Sequence, residues 1–159
     1  MEKSVEERIV HKLLQKGYSY TCAESCTGGM LSARIVSVPG VSEVYNCGFV
    51  TYANSAKHKL IGVSEETLNT VGAVSEQCAR EMAIGAATAA EAETALSITG
   101  IAGPGGGTPE KPVGTVYIGC HVCGTTIVKR FLFEGDRLQI RQSSVEAALN
   151  LLDECLTAE

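Results

Sequence analysis

The chain has 159 residues, 45% hydrophobic and 19% charged, a balance that suits one globular domain with a sizeable core and excludes a disordered segment. Its 13 Lys and Arg against 18 Asp and Glu give a formal net charge of -5, which argues against a broad nucleic-acid-binding surface. No apolar run approaches the roughly 20 residues of a membrane span, and MEKSVEERIV lacks the apolar stretch of a secretory signal, so a cytoplasmic protein without membrane contact is expected.

Val5, Ile9, Leu13 and Leu14 recur at helical spacing and Gly17 marks a stop, which predicts a first helix. YSYTCA follows as a short strand, then the turn within AESCTGG (23–29), then MLSARIV as a helix ending at Pro39-Gly40. VYNCGFVTY predicts a second strand and ANSAKHKLIG a helix. Ser75 is placed to cap an Ala-rich helix through EMAIGAATAAEA, with Glu76 in its first turn. TALSIT is a continuous apolar run suited to a buried strand. GIAGPGGGTPEKPVG then concentrates six of the 17 glycines and three of the four prolines. TVYIGCHVC and TTIVKRFLF pair around Gly124, and the last helix opens at Asp136, with Gln139 placed for a capping box. Strands alternating with helices, then a hairpin, predict an α/β fold: a three-layer α/β/α sandwich with a mixed, mostly parallel sheet, forming a single domain over 1–159.

Ligands in such sheets sit beyond the C-terminal ends of strands, and both Gly-rich segments follow a strand directly. In AESCTGG, Ser25 and Cys26 are adjacent candidate nucleophiles at a strand-to-helix junction, where backbone N–H groups and a helix dipole converge. A serine needs a base, whereas a cysteine needs less activation. His11 and His121 fall on a helix and a strand; only His58 lies near a junction, beside Lys57. Adjacent helical residues point about 100° apart, so only one of Lys57 and His58 can readily face a cleft. A lysine can serve as base when burial lowers its pKa. Ser25 with Lys57, and Cys26 with His58, both stay open on chemistry alone.

The seven cysteines are Cys22, Cys26, Cys47, Cys78, Cys120, Cys123 and Cys155, an odd number that reads as reduced, mostly buried thiols. Cys120 and Cys123 form a lone C-x-x-C. On a strand these two positions face opposite ways, which is poor for a shared metal, so no metal site is expected. A thiol or redox function built on Cys22, Cys26 and the C-x-x-C is the weakest of the readings. No G-x-x-x-x-G-K-[ST] occurs, which weakens an ATPase reading.

AESCTGG, GFVTYANSAKHKLIGV, GAVSE, SITGIAGPGGGTPEKPVGTVYIG and FEGDR, in this order, resemble the C-terminal domain of CinA-like proteins. The likeness runs from about residue 5 to the end of the chain. Stand-alone members of that family hydrolyse the carboxamide of nicotinamide mononucleotide to nicotinate mononucleotide and ammonia, a step of NAD salvage. The resemblance implies a serine–lysine amidohydrolase with Ser25 as nucleophile, Lys57 as base and Tyr52 relaying or orienting the proton, without a cofactor. It makes Cys26 a structural neighbour of the nucleophile. Backbone N–H groups at the Cys26–Gly29 turn are placed to hold an oxyanion, which assigns Cys26, Thr27, Gly28 and Gly29 to the substrate site. The resemblance also implies that Thr99 and Gly100 line the pocket and that Arg137 binds the ligand, at the phosphate. A surface pair of Arg137 with Glu134 is the plain alternative. Glu24 is a further site candidate, either fixing Lys57 electrostatically or capping the loop. The implied partners are a pyridine mononucleotide and a second copy of the chain in a homodimer. The rival function is a non-catalytic nucleotide-binding or sensing module on the same pocket, against which the full set of Ser25, Tyr52 and Lys57 argues.

Overall fold

In the computed structural model, which describes residues 1–159, local signals set the helix ends. Helix α1 (Val5–Lys16) starts at a capping box between Ser4 and Glu7 and stops at Gly17, whose φ is 69°. Strand β1 (Tyr20–Glu24) leads into the 25–29 turn and helix α2 (Met30–Val36). Strand β2 (Phe49–Val50) is followed by helix α3 (Asn54–Ile61), the short helix α4 (Glu65–Asn69) and helix α5 (Glu76–Ala90). Ser75 caps α5 by accepting from the Cys78 N–H at 3.1 Å. Strand β3 (Thr94–Gly100), the Gly-rich loop, and strands β4 (Thr115–Val122) and β5 (Thr125–Leu132) come next. Helix α6 (Arg137–Ala158) opens with the expected box, Gln139 N–H to Asp136 and Asp136 N–H to Gln139, each at 2.8 Å.

The sheet has the order β2-β1-β3-β4-β5. Strands β2, β1 and β3 are mutually parallel, β4 is antiparallel to β3, and β5 is antiparallel to β4. Four of the five strands therefore point the same way, and the hairpin supplies the one reversal. Helices α1, α2 and α6 pack on one face over the larger apolar core, with Ile9, Leu13, Leu31, Ile35, Leu149 and Leu152 buried against Leu96, Ile98 and Ile118. Helix α5 covers the other face through Met82, Ala83 and Ala86, with α3 and α4 leaning on it. The result is the expected three-layer sandwich in one domain.

Two elements depart from the sequence expectation. The strand expected over 44–52 shrinks to Phe49–Val50 plus an isolated bridge from Tyr45 to Tyr20. It is an edge strand with only one neighbour, and a side chain at Gly48 would run into the Tyr45 hydroxyl and the Cys22 Sγ. The extra helix α4 was not anticipated because five residues are too few for a helical period to register.

The candidate active site

The site forms where β1, β2 and β3 end. Two bonds carry the sheet ladder one residue past β1: Ser25 N–H donates to Ile98 O at 3.0 Å, and Thr51 N–H to Glu24 O at 2.8 Å. Ser25 is thereby fixed between its neighbours before the chain turns. The turn needs glycine at Gly28 and Gly29, whose φ values are 57° and 110°; the second lies where a Cβ is strongly disfavoured.

Lys57 sits one turn into α3, and it and Ile61, four residues on, are the two buried positions of that helix. His58, one position round, is exposed, and its Nδ1 contacts Val63 O at 2.8 Å. Lys57 is 1% exposed. Its Nζ lies 3.1 Å from Ser25 Oγ and donates to Thr51 O at 2.9 Å and Tyr52 O at 3.0 Å. No carboxylate is among its hydrogen-bond partners, and burial lowers its pKa below the ordinary lysine value of 10.5. Were the amine neutral, its two hydrogens would go to the two carbonyls and its one lone pair would face Ser25.

The rival dyad is dismantled by the same geometry. Cys26 is buried, and burial pushes its thiol up to about 11, so it is protonated at neutral pH. His58 faces away, at the Val63 carbonyl and near Glu65.

Ser25, Cys26, Tyr52, Lys57, Thr99, Gly100 and Arg137 all line one cavity of about 290 Å³. Thr99 donates its hydroxyl to Ala73 O at 2.8 Å, and Gly100 is required because a Cβ there would meet Thr115 O at 2.8 Å. Arg137 donates from Nη1 to Gly103 O at 2.6 Å and from Nη2 to the Tyr52 hydroxyl at 3.2 Å. It makes no ion pair with Glu134. Tyr52 therefore reaches the amine through its carbonyl, while its hydroxyl belongs to Arg137.

Glu24, Thr27, Gly28 and Gly29 do not line this cavity. Glu24 points to the other side of β1, where its carboxylate accepts from Thr27 Oγ1, Leu31 N–H, Ser32 N–H and Ser32 Oγ at 2.7–3.0 Å. This corrects the assignment of Glu24 to the substrate site: it is the cap of α2 and does not touch Lys57. Thr27 spends its hydroxyl on Glu24, and the glycines shape the turn. Of the turn's amides, Cys26, Thr27 and Gly29 donate to no protein acceptor, and only Cys26 borders the cavity.

The Gly-rich loop lines the cavity through Gly103, Gly105 and Gly106, as its place after β3 suggested, and Ala73 and Val74 add to the wall. Two contributors were missed in the sequence, Asn54 in the wall and Arg141 behind it. Arg141, one turn beyond Arg137, donates from Nε to Cys26 O at 2.9 Å and from Nη2 to Thr27 O at 3.1 Å, and so clamps the nucleophile turn. Both arginines lie on one face of α6 at i and i+4, a signal that the helical period could have given.

This arrangement is that of a sandwich domain carrying a hydroxyl–amine dyad in a strand-end cavity. The CinA C-terminal domain family matches residues 2–156, and the chain belongs to that family. It is 50% identical to a CinA-like protein of Kosmotoga olearia over 155 residues, 98% of this chain but only 38% of that protein. The chain thus spans well under half the length of that relative. Among solved structures it is similar to a CinA superfamily protein from Klebsiella pneumoniae, at 36% identity and a TM-score of 0.93, covering 98% of this chain and 97% of the other. A competence/damage inducible protein from Agrobacterium tumefaciens gives 38% identity and a TM-score of 0.88, covering 99% and 98% of the two chains.

Proposed function

We propose that the chain is a serine–lysine amidohydrolase acting on nicotinamide mononucleotide, releasing ammonia and nicotinate mononucleotide. The observation that carries this reading is the buried Lys57 amine at 3.1 Å from Ser25 Oγ, with its two other partners both carbonyls. Neutral Lys57 takes the Ser25 proton as Oγ attacks the carboxamide carbon. The Cys26 amide, unpaired at the cavity edge, is the donor placed for the oxyanion. The protonated amine then delivers its proton to the leaving ammonia, and water, activated by the same amine, cleaves the acyl-enzyme. Arg137 supplies the cation for the nucleotide phosphate, held by Gly103 O and the Tyr52 hydroxyl so that its position is set before ligand arrives.

The test is ammonia release from nicotinamide mononucleotide by wild type, Ser25→Ala and Cys26→Ala. The proposal requires turnover by wild type and Cys26→Ala and none by Ser25→Ala. A folded wild type that binds the mononucleotide without releasing ammonia would instead make this a binding module.

A further inference from the structure

Away from the Ser25 site, a second cavity of about 320 Å³ opens between the β4–β5 hairpin and the C-terminal turn of α6. Three of the seven cysteines line it: Cys120, Cys123 and Cys155. The strand expected to carry both cysteines of the C-x-x-C ends at Val122. Cys123 lies instead in the two-residue turn with φ 46°, followed by Gly124 at 87°, which swings it round to the same cavity as Cys120. Cys120 on β4 is buried and Cys155 on α6 is half-buried, and both line this cavity, whereas Cys123 is exposed in the turn.

We propose that Cys120 and Cys155 form a peroxide-reactive dithiol site, in which Cys155 is the attacking thiol and Cys120 resolves it to a disulfide joining β4 to α6. In the first step the Cys155 thiolate attacks one peroxide oxygen, forming an S–O bond and breaking O–O. Hydroxide leaves, and Cys155 becomes a sulfenic acid. Cys120 sulfur then attacks the Cys155 sulfur, the S–O bond breaks, and the Cys120 proton departs with the hydroxyl as water. Two electrons pass from the thiol pair to the peroxide.

The surroundings support this division of labour. The Cys155 thiol is drawn down to about 7, chiefly by hydrogen bonding to Cys120 and also by Lys129, against the opposing effects of burial and Glu154. Lys129 and Glu154 form an exposed pair at 3.7 Å. Cys120 is held strongly protonated, first by that bond to Cys155 and then by burial. Cys123 and Glu159 are the remaining titratable groups lining the cavity, and Glu159 accepts from the Tyr18 hydroxyl at 2.9 Å. Buried Cys22, Cys26 and Cys78 are all pushed up to about 11 and lie outside it.

The experiment treats the folded, reduced wild-type chain with stoichiometric hydrogen peroxide and maps the product by intact and peptide mass spectrometry. The expected product has lost two hydrogen atoms and contains a Cys120–Cys155 crosslinked peptide. Iodoacetamide labelling of Cys155 in the reduced protein rises with pH through a midpoint near 7. In Cys120→Ser the reaction stops at a sulfenic acid on Cys155 that a 1,3-diketone traps. Oxidation first at the exposed Cys47 or Cys123, with Cys155 left reduced, or a Cys120–Cys123 disulfide, would overturn the proposal. Because the wild type alone gives this answer, a variant that fails to fold does not obscure it. Ammonia release by the Ser25 site plays no part in the readout.

Discussion

Among the individual side chains of the site, some react in the proposed mechanism and others only hold. Lys57 is the proton acceptor in the proposed reaction, and general-base catalysis typically contributes about 10²–10⁴-fold, so Lys57→Met should lower kcat by a factor in that range. Cys26→Ala should leave kcat within about tenfold of wild type, since a thiol protonated at neutral pH contributes no nucleophile. Tyr52→Phe separates the proton relay expected of the tyrosine from its hydroxyl's contact with Arg137. Its carbonyl holds Lys57 and its hydroxyl meets Arg137, so the substitution should raise KM for the mononucleotide and spare most of kcat. A kcat loss as deep as that of Lys57→Met would mean that the hydroxyl relays the proton after all. Ser25 and Lys57 could be selected as partners only through the family resemblance. Their 32-residue separation carries no spacing rule, and nothing local in YANSAKHKL says which of Lys57 and His58 turns inward.

At the scale of elements, the reactive turn is held from both ends. Glu24 closes the N-terminus of α2 with four hydrogen bonds and is fully buried, while Arg141 reaches from α6 to the carbonyls of Cys26 and Thr27. Glu24→Gln places an amide donor against these N–H and hydroxyl donors. Leaving buried donors unpaired costs about 1–3 kcal/mol, so the midpoint in urea denaturation should fall while KM stays unchanged. A raised KM with unaltered stability would return Glu24 to the substrate site. Arg141→Gln should lower kcat more than it raises KM, because it loosens the turn that carries the nucleophile. Helices announced by caps, such as those opening at Ser75 and Asp136, were legible because the signal is local, a few residues long. The shared face of Arg137 and Arg141 was readable from the helical period, but the target of Arg141, 115 residues away at Cys26, and the shortness of β2 depend on what packs beside them and emerged only in the folded chain.

For the whole molecule, burying Lys57 trades stability for reactivity. Its folded pKa lies below 10.5, so within the window between the two values the unfolded chain binds a proton that the folded chain lacks. Stability therefore rises with pH across that window. The contribution is fully present above 10.5 and is lost as pH falls through the lowered folded value. Urea denaturation at a series of alkaline pH values should show this slope in wild type and a flatter one in Lys57→Met. The layered architecture and strand directions were readable from the order of elements, since alternating strands and helices leave few ways to cover both faces of a sheet. The cavity was not, because its walls come from several separate loops, the end of β3 and two helices, α3 and α6.

The most direct measurement follows the ε-carbon of Lys57 by NMR in protein carrying ¹³C-labelled lysine, with the resonance assigned by its absence in Lys57→Met. The expected result is that this carbon titrates below the ordinary lysine value of 10.5, so that the amine facing Ser25 is available as a base. A Lys57 that titrates at the ordinary lysine value of 10.5 would contradict it.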